Sequence, residues 1–104
     1  MTIDFHAEVD KRKEALMEDL FGLLRINSER DDSKADEKHP FGPGPVKALE
    51  HFLALAERDG YKTRNIDNYA GDFEFGQGDE VLGIFAHLDV VPAGSGWDTD
   101  PYEP

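Results

Sequence analysis

The first 26 residues carry apolar positions at helical spacing. These positions recur at steps of three, four and seven residues, which places them on one face of a helix: Phe5, Val9, Leu16, Leu20, Leu23 and Leu24. The pattern predicts an amphipathic helix from Asp4 to Ile26, with Thr2 or Asp4 as its N-cap. Asn27 and Ser28 end the pattern, and we expect the helix to serve packing rather than chemistry.

A long polar segment, residues 28–44, separates this helix from a second one. Connections of this length without regular structure are usually functional or disordered. Pro45 suits the first turn of the next helix, because the N–H that proline lacks would have no partner there. Gly60 is typical of the left-handed residue that ends a helix. The second helix has an apolar face of its own, formed by Val46, Leu49, Phe52, Leu53 and Ala56.

From Tyr61 the apolar period changes to two, which is typical of strands. The pattern predicts two short strands, Lys62–Ile66 and Ala70–Phe75, joined by a turn at Asp67-Asn68. Residues Val81–Ala86 are uninterrupted and apolar, which predicts a third strand that is central and buried on both faces. The fold class is therefore α/β, with two helices followed by about three strands.

A strand buried on both faces needs cover on each face and a neighbour at each edge. Two helices and one hairpin do not supply these neighbours. The sequence also stops within loop-like residues, Tyr102-Glu103-Pro104. We therefore expect residues 1–104 to be part of a larger domain.

The composition narrows the classes of function. The chain has 11 basic and 23 acidic residues, a net charge of −12, which disfavours binding to nucleic acid or to anionic lipid. It has no cysteine, which excludes disulfides, thiolate zinc sites and cysteine nucleophiles. The first ten residues contain no apolar secretory segment, and no apolar run is long enough to span a bilayer. These features predict an acidic, soluble, cytoplasmic protein with no nucleic-acid or membrane partner.

The candidate active-site residues, His87 and Asp89, come directly after the apolar run. In an extended backbone, residues two apart point the same way, so one ring nitrogen can bind a metal while the carboxylate takes the other ring N–H. The spacing also fits a histidine that is only hydrogen-bonded scaffolding, since catalytic zinc needs about three protein ligands. The other histidines are expected at the surface or in caps: His6 and His51 fall within the predicted helices, and His39 falls within the polar segment between them.

Other candidate motifs are weaker. Asp98 and Asp100 lack the glycine and the closing glutamate of a calcium loop, so a solvated turn is the simpler interpretation. Residues 42–45 are glycine-rich but have no lysine or serine placed to bind phosphate. Ser95 has no nucleophile-elbow motif around it. Trp97 is either a packing aromatic or the wall of a pocket.

The segment Ala86-His87-Leu88-Asp89-Val90-Val91-Pro92, with Gly96-Trp97 and Asp100-Pro101 after it, resembles the first metal motif of a known family. This is the co-catalytic, dinuclear zinc peptidase and deacylase family, which includes the carnosinases. The resemblance extends to the opening helix and to Arg25–Ser28, Phe41–Pro45 and Tyr69–Gly71. It covers the whole chain and is nearest to the family's cytosolic bacterial dipeptidases.

The resemblance implies a catalytic domain of α/β type that holds two zinc ions, with a smaller second domain. It implies that His87 is a zinc ligand and that Asp89 is the catalytic-site carboxylate that orients it. In the family, the aspartate that bridges the metals, the glutamate general base and the remaining ligands come later in the sequence. Residues 1–104 then correspond to the N-terminal portion of the catalytic domain, and we expect this chain alone to be inactive on the dipeptide substrates of the complete enzyme.

Two alternatives stay open. The first is a non-catalytic, truncated product that associates with copies of itself through an exposed sheet edge and an uncovered apolar face. The second is an unrelated acidic binding module, which composition alone does not exclude.

Overall fold

The computed structural model describes residues 2–104 and contains two helices followed by one β-hairpin. Helix α1 spans Phe5–Leu24 and helix α2 spans Pro43–Arg58. Strands β1, Thr63–Ile66, and β2, Ala70–Phe73, follow directly. A single 3-10 turn, Asp32–Lys34, lies in the long connection between the helices. This order confirms the predicted α/β class, with helices first and strands second.

Helix α1 begins as predicted, because the Asp4 carboxylate accepts a hydrogen bond from the Ala7 backbone N–H at 3.1 Å. Its apolar face is only partly covered: Phe5 is 72% exposed and Leu16 58% exposed. The tie to α2 is partly electrostatic, since the Arg58 guanidinium donates to both carboxylate oxygens of Asp19 at 2.9 Å. The prediction of a packing helix therefore holds only in part for the described residues.

The prediction that His51 lies at the surface or in a cap was wrong. His51 is part of α2, and its ring packs against α1 at Gly22, where a Cβ atom would come within 3.0 Å of the His51 Nε2 atom. That Nε2 atom is buried and has no hydrogen-bond partner among residues 2–104. Sequence spacing placed His51 on α2 but could not show which neighbour its ring would meet.

Helix α2 supplies all the buried hydrophobic residues of the described chain: Val46, Ala48, Leu49, Leu53 and Ala56. The predicted apolar face is confirmed at four positions, whereas Phe52 is 37% exposed. The helix begins two residues before Pro45, at Pro43, and Pro45 still lies in its first turn. Gly60 adopts a left-handed φ of 93° just after the helix, as expected of a helix stop.

The hairpin pairs β1 with β2 in antiparallel register, from Thr63 opposite Phe73 to Ile66 opposite Ala70. Its turn residues, Asp67 and Asn68, both have positive φ, 51° and 63°, as a type I′ turn requires. The predicted turn is therefore confirmed. The hairpin packs on α2 at Gly71, where an added Cβ would lie 2.9 Å from Leu49 Cδ1.

The predicted third strand does not form. Residues Val81–Ala86 are irregular and exposed, with Val81 at 89% and Phe85 at 97%. A strand requires hydrogen-bonding neighbours along its edges, and within residues 2–104 the only sheet is the β1–β2 hairpin. The apolar composition predicted a buried strand here, and the prediction was wrong for residues 2–104, because the described chain contains no neighbours that would pair with such a strand and bury it. No helix within residues 2–104 has the length and apolarity needed to cross a membrane.

Candidate functional site

His87 and Asp89 lie side by side, although the segment before them is not a strand. The His87 Nδ1 atom is 3.1 Å from the Asp89 carboxylate oxygen Oδ1 and 3.0 Å from the Asp89 backbone oxygen. The His87 side chain is 84% exposed and that of Asp89 58% exposed. The two residues therefore form a ring–carboxylate pair on an open surface.

The contacts of His87 determine which ring nitrogen carries the proton. A backbone carbonyl oxygen can only accept a hydrogen bond, so Nδ1 must be the donor to Asp89. In the neutral ring the other nitrogen, Nε2, then keeps its lone pair. Metal-binding histidines in proteins typically adopt this arrangement, in which the non-ligating N–H donates to a carboxylate or a carbonyl.

Ser28 and Glu29 hold the loop that carries this pair. The Ser28 hydroxyl donates to the Leu88 backbone oxygen at 2.8 Å, and the Val90 N–H donates to the Ser28 backbone oxygen at 3.4 Å. Glu29 forms an isolated parallel bridge with Val90. Sequence reasoning gave neither residue a role at the site: Ser28 was interpreted as the end of a helical pattern and lay within the Arg25–Ser28 segment that resembles the zinc peptidase family.

The Glu29 carboxylate anchors the far part of the loop. Its oxygen Oε1 accepts hydrogen bonds from the Tyr102 hydroxyl at 2.6 Å and from the Ala93 backbone N–H at 3.2 Å. The bond to the Glu29 carboxylate raises the pKa of the Tyr102 phenol. The segment from residue 88 to residue 102 is therefore fastened to the residues just after α1.

An open, mainly apolar cleft of about 460 Å³ lies beside the pair, between the end of α1 and this loop. Trp97 is among its lining residues, so this indole is a wall of the cleft. The Trp97 Nε1–H donates to the Ala93 backbone oxygen at 2.9 Å, which fixes the ring within the loop. The cleft has the apolar lining and the few polar groups that are typical of small-molecule sites; the lining includes Leu24, Ile26, Val91 and Tyr102 as well as His87 and Asp89.

The other candidate ligands are not brought to His87. His39 Nδ1 lies 2.9 Å from the Asp36 carboxylate in the connection between the helices, and His6 is exposed on α1. The Asp100 carboxylate accepts from the Tyr102 backbone N–H at 2.9 Å, as in the predicted turn. Within residues 2–104, no three histidine, cysteine or acidic residues are grouped as they would be around a metal ion. The donor set at His87 therefore fits one ligand of a metal site and its orienting carboxylate.

Comparison with known proteins shows extensive similarity over most of the chain. No protein-family model matches the sequence. A protein of Staphylococcus haemolyticus named "putative dipeptidase" is 50% identical over 97 residues, 93% of this chain. Proteins of Staphylococcus aureus strains USA300 and NCTC 8325 that carry the same description are 52% identical over the same length. The chain spans only 21% of the length of these curated relatives.

Proposed function

We propose that this chain is the N-terminal portion of the catalytic domain of a zinc-dependent dipeptidase, with His87 as a zinc ligand and Asp89 as the carboxylate that orients it. The observation that carries the proposal is the double contact of His87 Nδ1 with the Asp89 carboxylate and carbonyl oxygens. The similarity to proteins named dipeptidases supports the choice of reaction. The acidic, cysteine-free composition favours a cytoplasmic protein.

The contribution of this chain to such an enzyme is positional. Asp89 holds the His87 ring in one tautomer, so that the Nε2 lone pair is available to a metal ion without a prior proton shift. Bound zinc would supply Lewis-acid polarisation of the peptide carbonyl and a water of lowered pKa. The remaining ligands of two zinc ions, the bridging aspartate and the glutamate base are proposed to come from the rest of a longer protein, because the relatives are nearly five times as long as the matched segment.

A chimera tests this proposal in a full-length protein. The 97 matched residues of the Staphylococcus aureus relative are replaced by this chain, and dipeptide hydrolysis is measured with added zinc beside the unaltered relative. We expect both proteins to hydrolyse dipeptides. We expect His87→Ala in the chimera to lower kcat/KM by more than the roughly 10- to 100-fold that is typical of losing an orienting residue, and Asp89→Asn to lower it within that range.

The matched control is His6→Ala, which removes an exposed histidine of α1 and should leave hydrolysis unchanged. Zinc binding to the chain alone is measured by calorimetry in parallel. We expect weak binding that His87→Ala abolishes, since one histidine is a fraction of a catalytic site. An active chimera whose rate and zinc content do not change with His87→Ala would refute the proposal.

A specific observation also supports a second candidate function, self-association without catalysis. The segment Val81–Phe85 is apolar, unpaired and almost fully exposed, and such segments are templates for pairing between chains. Sedimentation velocity over a range of concentrations tests it: we expect a dimer or larger species that Ile84→Lys converts to monomer. A monomer at every concentration would leave the enzyme fragment as the better interpretation.

A further inference from the structure

Ser28 is the one polar residue that is buried in the described chain, at 2% exposure. It lies four residues after the end of α1, and 60 positions along the sequence separate it from Leu88, whose carbonyl it binds. A buried hydroxyl needs a hydrogen-bond partner. The partner of the Ser28 hydroxyl is a backbone oxygen in the loop that carries His87 and Asp89. The two hydrogen bonds between Ser28 and this loop lie on either side of Asp89.

Each of these bonds orients one peptide group next to Asp89. The Leu88 carbonyl, which accepts from the Ser28 hydroxyl, belongs to the peptide that precedes Asp89. The Val90 N–H, which donates to the Ser28 carbonyl, belongs to the peptide that follows it. Because peptide groups are planar, fixing both planes restricts φ and ψ of Asp89 and with them the direction of its carboxylate.

The second of these peptides also contacts the histidine directly. In a trans peptide the C=O and the N–H point in opposite directions. When the Val90 N–H points to Ser28, the Asp89 carbonyl of the same peptide must point away from Ser28. That carbonyl is the one that lies 3.0 Å from His87 Nδ1.

The Ser28 backbone also lies close to α2. A Cβ atom at Gly44, in the first turn of α2, would come within 3.1 Å of the Ser28 Cα atom and would overlap the Asn27 backbone oxygen. This close approach leaves the Ser28 backbone little room to move. The hydroxyl therefore acts from a fixed position.

We propose that Ser28 is a positioning residue, which sets the tautomer and the orientation of His87 by fixing the two peptide groups around Asp89. The inference rests on the proposed function for its purpose, since an oriented His87 serves a metal site. The inference can be tested on the metal-free chain, because the His87 tautomer can be measured without a metal ion.

The test compares Ser28→Ala with the wild type by nitrogen-15 NMR of the histidine rings, at an alkaline pH where imidazole is neutral. Ser28→Ala removes the hydrogen bond to the Leu88 carbonyl but keeps the Val90 N–H bond to the Ser28 backbone oxygen. We therefore expect His87 to be mainly the Nδ1–H tautomer in the wild type and to lose part of that preference in Ser28→Ala. We expect zinc, added as the free ion, to bind about 2- to 10-fold more weakly, the range for one lost hydrogen bond. Ser28→Thr, which keeps the hydroxyl, should restore the wild-type tautomer.

The matched control is Ser95→Ala, the same change at an exposed position of the same loop, and it should alter neither measurement. A folded Ser28→Ala chain with the wild-type His87 tautomer would overturn the inference. If Ser28→Ala does not fold, amide exchange in the wild type decides: the Val90 amide should exchange more slowly than that of Val91, and equal exchange overturns the inference. A tautomer shift without zinc binding would support the role of Ser28 and count against the proposed function, so the two can fail separately.

Discussion

A substitution at Gly44 tests whether helix α2 packs closely against the Asn27–Ser28 segment. Gly44 lies in the first turn of α2, facing Asn27 and Ser28, and its φ is not in the left-handed region. Alanine is therefore compatible with the backbone conformation. The obstacle is steric, because the new methyl group would overlap the Asn27 backbone oxygen and crowd the Asn27 carbonyl carbon at 3.2 Å.

The magnitude follows from two opposed effects. Replacing glycine by alanine within a helix favours folding by roughly 0.5–1 kcal/mol. Overpacking costs about 1–3 kcal/mol, and the upper part of that range applies because the obstructing atoms are backbone and cannot rotate aside. The net expectation for Gly44→Ala is a loss of about 1–2 kcal/mol in the free energy of unfolding, which lowers Tm by roughly 4–16 °C in a chain of this size.

Thermal unfolding followed by circular dichroism measures this shift. Gly83→Ala is the matched control, because an added Cβ there meets only the ring of exposed Phe85, at 3.2 Å. It should change Tm by much less than Gly44→Ala does. A Gly44→Ala chain as stable as the wild type, or more stable, would show that α2 and the Asn27–Ser28 segment are not in close contact.

Two further predictions concern pH. The hydrogen bonds from Arg58 lower the pKa of Asp19, so this ion pair stabilises the fold above the ordinary aspartate pKa of about 3.9 and the contribution is lost as the pH falls through the folded value. Urea unfolding at a series of acidic pH values should therefore show a smaller acid-side loss of stability in Asp19→Asn than in the wild type. The Glu29 carboxylate raises the pKa of Tyr102, so that bond contributes stability below about pH 10 that is lost at higher pH. A pH titration of phenolate absorbance should show the raised pKa of Tyr102, and Glu29→Gln should lower that pKa.

The parts of the fold that follow from local rules were predictable from the sequence. The Asp67-Asn68 turn and the Gly60 helix stop depend on backbone conformations that only a few residue types adopt easily. The apolar face of α2 follows from helical period, although its burial also requires the hairpin that packs on it at Gly71. In each case the information lies within a few residues of the feature itself.

The features that depend on distant partners were not predictable. The apolar run Val81–Ala86 has the composition of a buried strand, yet burial requires neighbours that no local pattern specifies. His51 was placed on its helix correctly, but its contact with Gly22 arises from the packing of two helices. Ser28 lies in a segment that resembles the zinc peptidase family, but no local pattern indicated its contacts, since its partners are 60 and 62 positions away in the sequence.

The candidate site depends on a local contact, between His87 and Asp89, and on a distant one, from Ser28. The contact between His87 and Asp89 spans two residues, so it persists where the preceding segment is irregular. The orientation of Asp89 toward that ring depends on Ser28, which only the folded chain brings near. A His-x-Asp sequence can therefore form a ring–carboxylate pair by itself, whereas fixing the tautomer of that pair requires a buried residue from elsewhere in the fold. For this reason the variant that separates a chance His-x-Asp pair from a built site is the one at Ser28, which changes neither member of the pair.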